Sequence, residues 1–366
     1  MLRGALRTAR YARSWSSGAD VVIHETEIVR DGVRIEATLV LPAKHRGDLP
    51  GWIALGGVSR MGRFHPQLVR FANALASSGA AVLLPEIPEW RDLTVPPGVA
   101  VPTIRAGIDV LRRRPEVGSG KLGLIGFSFG APQAAIAATH EHLAAELAGV
   151  VLFGAYCCLE RTVVCQLTGD HDWAGVNYTL NPDPYGGWIV GSNYLPLVPG
   201  YEDAADVAAA LHRLAVAASD QRVSAWQPYH DGMIEELRAG LPQVRRPLYD
   251  LFATPSTVAR PDPAARRDIA IRLAETCRRL EPLLEPRSAL AGVRVPTRLI
   301  HGRGDRLIPF TESLRLWEEL PAAARAGLTI TGLFSHSADK SPSGLADRVR
   351  EGLIMLGAIR GVINTA

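Results

Sequence analysis

Along the chain, apolar and polar positions follow two rhythms in turn. In "VVIHETEIVRDGVRIEATLVLP" (21–42), Val, Ile and Thr alternate with charged residues on both sides of Asp31-Gly32. That period of two predicts a pair of antiparallel strands joined at a tight turn. Short apolar runs follow in "GWIALGGVSR" (51–60), "AAVLLPEIP" (80–88), "KLGLIGF" (121–127) and "AGVVLFGAY" (148–156). Runs of this length without alternation predict strands buried on both faces. Between them, "HPQLVRFANALASSG" (65–79) repeats apolar residues at Leu68, Phe71 and Leu75 and stops at Gly79. "TIRAGIDVLRRR" (103–114) and "GAPQAAIAATHEHLAAEL" (130–147) also have helical spacing. Alternating buried strands and helices predict an α/β fold whose mostly parallel central sheet is wrapped by helices.

After Tyr156 the rhythm breaks. Residues 157–290 begin with a Gly-, Pro- and Tyr-rich stretch and continue as helical segments, with no run that reads as a central strand. The strand-helix rhythm resumes with "TRLIHG" (297–302), "TESLRLWEEL" (311–320), "AGLTIT" (326–331) and a final helix. The expected organisation is therefore a tail at 1–19, a core at 20–156, a helical cap insertion at 157–290, and the rest of the core at 291–366.

Composition narrows the picture. The chain of 366 residues is 47% hydrophobic and 21% charged, as expected for a large globular protein. The net charge of +3 comes from a head that carries Arg3, Arg7, Arg10 and Arg13 before the first acidic residue, Asp20. Without those four arginines the body is near neutral, so no nucleic acid partner is expected. No apolar run reaches the about 18–20 residues of a membrane span. The head reads as a disordered tail, with an organelle-targeting segment as the alternative. Cys157, Cys158, Cys165 and Cys277 show no CxxC spacing, so reduced thiols in the cytoplasm are expected.

Candidate chemistry begins at "GLIGFSFGA" (123–131). A serine hydroxyl attacks a carbonyl only if a base activates it and it stands clear of its own backbone. Gly126-Phe127-Ser128-Phe129-Gly130, placed between a strand and a helix, meets the second need. It is a G-x-S-x-G nucleophile elbow, with small residues on both sides of a sharp turn. No Lys follows Gly130, and the glycines are spaced three and four apart, so neither a phosphate-binding loop nor a dinucleotide fingerprint fits. Partners are expected in the order Ser, acid, His. Asp305 follows the strand "TRLIHG", and His336 lies in the loop after the last strand. His301, at a strand end before Asp305, fits the base role poorly. For the oxyanion hole the expected donors are the backbone N–H groups of Phe129 and Val58, with Gly56-Gly57 allowing close approach.

Together, "LGGVS", "GFSFG", "HGRGDRLIP" and "SHS" resemble the α/β-hydrolase superfamily, and within it dienelactone-hydrolase-like serine esterases. The resemblance covers about 20–156 and 291–362. Two departures are Gly56-Gly57 in place of the usual His-Gly and serine in place of the cysteine of dienelactone hydrolases. The resemblance implies an ester hydrolase that needs no metal or organic cofactor, with Ser128, His336 and Asp305 as a triad. The alternatives are a peptidase, thioesterase or acyltransferase on the same triad, or a non-catalytic ligand-binding protein. In the family, an insertion at this point covers the site. Seven of the eight tyrosines fall between Tyr156 and Tyr249, which suggests a small-molecule ester with an apolar or aromatic acyl group. Gly57, Arg60, Tyr156 and Trp188 are the expected substrate contacts. "GDHDW" offers Asp170, His171 and Asp172 as metal ligands, but no matched partners follow, so no metal is expected. Arg60 and Arg63, in the oxyanion loop, offer cations to an acidic substrate, with solvated arginines as the alternative.

Overall fold

The computed structural model describes residues 2–45, 47–333 and 344–366. His336 lies outside them. Eight strands form one sheet: β1 (Val21–Arg30), β2 (Val33–Pro42), β3 (Gly51–Leu55), β4 (Ala81–Pro85), β5 (Leu122–Phe127), β6 (Leu147–Phe153), β9 (Thr297–Gly302) and β10 (Arg325–Thr331). Their spatial order is β1-β2-β4-β3-β5-β6-β9-β10. β2 runs antiparallel to β1 and β4, and every other pairing is parallel.

Strand periodicity divides the core into two faces. Ile53, Leu55, Leu83, Leu124, Val150, Leu152 and Leu299 join one buried cluster. Their sequence neighbours Trp52, Ala54, Val82, Leu84, Ile125, Val151 and Ile300 join the other. Successive side chains point to opposite faces, so these strands must be apolar at every position once helices cover both sides.

The helices are α1 (Leu2–Ser17), α2 (Pro66–Ser77), α3 (Pro88–Arg91), α4 (Ala100–Arg112), α5 (Gly130–Ala137), α6 (Glu141–Glu146), α7 (Leu159–Thr168), α8 (Tyr185–Tyr194), α9 (Ala205–Gln221), α10 (Asp231–Gly240), α11 (Arg246–Asp250), α12 (Pro263–Leu280), α13 (Phe310–Glu319) and α14 (Leu345–Ile363). The single helix expected over 130–147 is two, α5 and α6, separated at His140, whose backbone is extended.

The head corrects an expectation. Instead of a disordered tail it forms α1, packed on α2 and α14. Tyr11 is buried edge-on against Phe71, and the Arg70 guanidinium lies 4.4 Å from the Trp15 ring. Arg7 donates to the Ser78 and Ile363 carbonyls at the ends of α2 and α14. Those carbonyls lack intrahelical partners, so the cation satisfies acceptors that would otherwise need water.

Between β6 and β9, helices α7–α12 surround a third buried cluster built on Leu159, Trp188, Leu211, Tyr249, Ile269 and Leu273. A small hairpin, β7 (Asp170–Trp173) and β8 (Val176–Thr179), lies apart from the main sheet. Val58, Phe129 and Leu307, from loops at the ends of sheet strands, pack against this cluster. The helical insertion and the sheet therefore meet at those loops.

Candidate active site

Ser128 directly follows β5 and precedes Phe129, the N-cap of α5, and it has a φ of +52°. A left-handed backbone is costly for a non-glycine residue and persists only when its surroundings hold it. The Ser128 N–H donates to the Phe153 carbonyl at 2.8 Å, and the Ser128 carbonyl accepts from Ala131 at 3.0 Å. The flanking glycines are required by space. A Cβ on Gly126 would sit 2.3 Å from the Gly130 oxygen, and one on Gly130 would sit 2.3 Å from the Gly56 oxygen. Both obstacles are backbone atoms, so no side-chain movement relieves them. The turn folds the start of α5 back over β5, and its amides lie beside the serine.

The loop after β3 passes directly over this turn. A Cβ on Gly57 would lie 2.9 Å from the Ser128 Cβ and 3.3 Å from its Oγ. The Gly57–Val58 peptide is thus held close to the hydroxyl. Phe129 starts α5, and its ring packs edge-on to Trp90 with centroids 5.0 Å apart.

Asp305 lies just beyond β9 and is 1% exposed. Its Oδ1 accepts from the Leu307 N–H at 2.9 Å and the Ile308 N–H at 3.1 Å. These two donors fix the carboxylate plane. His301 is fully buried behind it, with Nε2 3.6 Å from Asp305 Oδ2. The Ile308 carbonyl, an acceptor only, lies 2.9 Å from His301 Nε2, so that nitrogen carries the proton. Nδ1 lies 2.6 Å from the Ser313 hydroxyl, which donates to the Ala155 carbonyl at 3.3 Å. His301 thus joins β9 to the acid loop.

Other candidates are placed as follows. Tyr156 and Trp188 are buried, at 4% and 0% exposure, in the core of the insertion. Tyr156 donates its hydroxyl to the Leu284 carbonyl, and Trp188 donates Nε1 to the Phe252 carbonyl. The expectation that they contact substrate is corrected: each ring is packed by protein and its polar atom is used internally. Arg60 is partly exposed and reaches Asp220 at 3.4 Å and Asp92 at 3.7 Å. Arg63, expected at the surface, is buried and donates to Glu25, Glu36 and Glu86 and to the Thr38 hydroxyl.

Residues the sequence did not single out hold the loop after β3 from the insertion side. The Tyr185 hydroxyl donates to the Val58 carbonyl at 3.3 Å. The Ser219 hydroxyl meets Ser59 Oγ at 3.3 Å and accepts from the Arg60 N–H at 2.9 Å. No local motif marks them, since each partner lies more than a hundred residues away.

His171 lies on the hairpin with Nδ1 3.1 Å from Thr311 Oγ1 and its ring stacked on Tyr178. It lines a cavity of about 490 Å³ with Arg161, Asp172, Arg267 and Glu312. Charges there pair with one another, as Arg315 with Asp172 at 2.8 Å and Arg267 with Asp170 at 2.9 Å. Among the described residues, no group of three or more His, Cys, Asp or Glu is arranged to hold a metal ion. None of their helices is long and apolar enough to cross a membrane.

No family model matches the chain, and no curated protein matches it. Solved structures do. The chain is similar to brefeldin A esterase, described as a bacterial homologue of human hormone sensitive lipase. Identity is 15% and the TM-score 0.50, covering 99% of this chain and 84% of that one. It also aligns with the 2,6-dihydroxy-pseudo-oxynicotine hydrolase at 17% identity and a TM-score of 0.48, over 97% of this chain and 73% of that one. With dienelactone hydrolase from Anabaena variabilis the identity is 15% and the TM-score 0.45, over 93% and 96%. The likeness to brefeldin A esterase, with the eight-stranded, mostly parallel sheet and its flanking helices, shows that the chain has the α/β-hydrolase fold.

Proposed function

We propose that the protein is a serine hydrolase that cleaves carboxylic esters through an acyl-enzyme. The observation that carries this reading is Ser128 held at φ +52° with the Gly57 backbone against its side chain. A strained serine at a strand-to-helix turn, beside a second loop of free-standing peptide groups, suits attack on a carbonyl.

In this reading Ser128 Oγ attacks the acyl carbon while His336 takes its proton. The carbonyl π electrons move to oxygen, and the Phe129 and Val58 N–H groups hold the resulting oxyanion. Collapse expels the alcohol, which leaves with the proton from His336. Water, deprotonated by His336, then attacks the acyl-enzyme; the bond to Ser128 Oγ breaks, the acid leaves, and His336 returns the proton to Ser128. Asp305 orients the imidazole and stabilises its cation. Its carboxylate is preset for this, because the Leu307 and Ile308 amides anchor Oδ1. The helices of 157–290 act as a cap, and Val58, Phe129 and Leu307 give the site an apolar wall where they meet the cap core. The four free cysteines suit a reducing compartment such as the cytoplasm.

Stopped-flow hydrolysis of p-nitrophenyl esters tests this. A burst of nitrophenol stoichiometric with enzyme, absent in Ser128→Ala, is expected. Turnover of thioesters or peptides with no turnover of any ester would reassign the substrate class.

A further inference from the structure

Arg266, in the first turns of α12, is 6% exposed. Its Nε donates to the Leu251 carbonyl at 3.2 Å. Arg260, just before the helix, donates to the Asn181 side-chain oxygen and to the Pro182 carbonyl. These acceptors are all neutral. Among the described residues, no carboxylate lies within 4.0 Å of either guanidinium. The nearby Asp262 carboxylate is turned to the helix start, accepting from the Ala264 N–H.

Each cation makes its neighbour less favourable. Burial, and then Arg260, lower the Arg266 pKa to about 10. Arg306 directly follows Asp305, and its guanidinium lies 4.4 Å from the Trp226 ring. The amino-terminal end of the 18-residue α12 adds its positive dipole beside Arg260 and Arg266. A buried guanidinium without a counter-charge is among the more expensive groups a protein can hold. Arg260 and Arg266, side by side at the start of α12, are an arrangement that a bound anion relieves.

This cluster is tied to the Ser128 centre by one short segment. Asn181 contacts Arg260, the Asp183 N–H donates to the Arg306 carbonyl at 2.9 Å, and the Tyr185 hydroxyl reaches the Val58 carbonyl. Four residue steps separate Asn181 from Tyr185, at most about 14 Å of chain. The arginines therefore stand against the same short segment whose Tyr185 holds the loop that flanks Ser128.

We propose that Arg260 and Arg266 bind an anionic oxygen group, carboxylate or phosphate, at the end of the substrate remote from its ester. This rests on the hydrolase reading for the word substrate, but the anion site itself is separable from it. Planar guanidinium groups suit the paired oxygens of such groups. The consequence is selectivity for esters that carry a negative charge away from the scissile bond, with the remainder of the acyl chain against the apolar wall.

The test uses the full-length Ser128→Ala protein, in which binding is read without turnover. Glutarate and inorganic phosphate are titrated separately by calorimetry, at low and high salt. One of the two should bind, more weakly in high salt, and which one binds identifies the group. Arg260→Gln and Arg266→Gln should each weaken that binding at least tenfold. Arg260 is exposed, so its variant remains informative if Arg266→Gln does not fold. In the active protein, kcat/KM for p-nitrophenyl hemiglutarate relative to p-nitrophenyl pentanoate should fall at least tenfold in Arg260→Gln. Absence of binding by both anions, or equal binding in parent and variants, overturns the proposal. Anion binding without any ester turnover would uphold the site and count against the hydrolase reading instead.

Discussion

The Tyr185 hydroxyl reaches across 127 positions of sequence to donate to the Val58 carbonyl at 3.3 Å. It joins α8 of the insertion to the loop that lies against Ser128. That loop is rich in glycine and would otherwise be free to sample many conformations, so an external restraint has a clear use. Tyr185 is in this sense a positioning residue. Tyr185→Phe keeps the ring and loses only the donor. A hydrogen bond of this kind is worth about 1 kcal/mol net, so kcat should drop about fivefold. KM and the melting temperature should stay close to those of the parent, and steady-state kinetics beside a thermal melt separates this from general destabilisation.

The elbow glycines make a second, sterically defined prediction. Gly130→Ala drives a Cβ to within 2.3 Å of the Gly56 oxygen. Overpacking of this kind costs about 1–3 kcal/mol, and here the strain falls on the turn that holds Ser128. Activity should be lost together with stability. Gly120→Ala is the matched control, because nothing lies within 4 Å of its Cβ position. Urea unfolding should show a lowered midpoint for Gly130→Ala and an unchanged one for Gly120→Ala.

Arg63 belongs to the frame of the fold. Its guanidinium contacts the buried Glu86 at 3.2 Å, with Glu36 and Glu25 at 2.9 and 3.1 Å. Removing the cation leaves Glu86 with the Ile87 N–H at 3.2 Å and the Arg91 guanidinium at 3.9 Å. Breaking a buried pair from one side costs about 3–5 kcal/mol. Arg63→Met should therefore unfold at markedly lower denaturant, whereas Arg60→Gln, on the surface, should change stability by less than about 0.5 kcal/mol.

Asp305→Asn tests the acid without breaking its loop. The Leu307 and Ile308 amides hold Oδ1, so the new amide oxygen must take that place. The amide NH₂ then points where a carboxylate oxygen stood. A His that needs an acceptor there meets a donor, and kcat should fall by about 10⁴. A near-native circular dichroism spectrum should accompany the loss.

Much of the fold was legible because its strands are buried on both faces. Leu122–Phe127 and Leu147–Phe153 are apolar runs too short for helices, and neighbouring helices explain why both faces are filled. The hairpin β7–β8 was not legible: Asp170–Trp173 is only half-buried and mostly polar, and it is held by pairing to Val176–Thr179. The head was misread because its arginines looked like solvated charge, whereas Arg7 serves the carbonyl ends of two distant helices. At the candidate site, Ser128 and Asp305 were marked by what surrounds them locally in sequence. Tyr185 and Ser219 were not, since their roles come from contacts made only after folding. Tyr156 and Trp188 show the converse: aromatic content alone does not separate a pocket wall from a packed core.

Intact-mass spectrometry after reaction with a fluorophosphonate gives the most direct reading of Ser128. The unaltered protein should gain one adduct, located by peptide mapping to the segment carrying Ser128, and Ser128→Ala should gain none. An adduct on a different residue, or equal labelling of the folded alanine variant, would contradict Ser128 as the nucleophile.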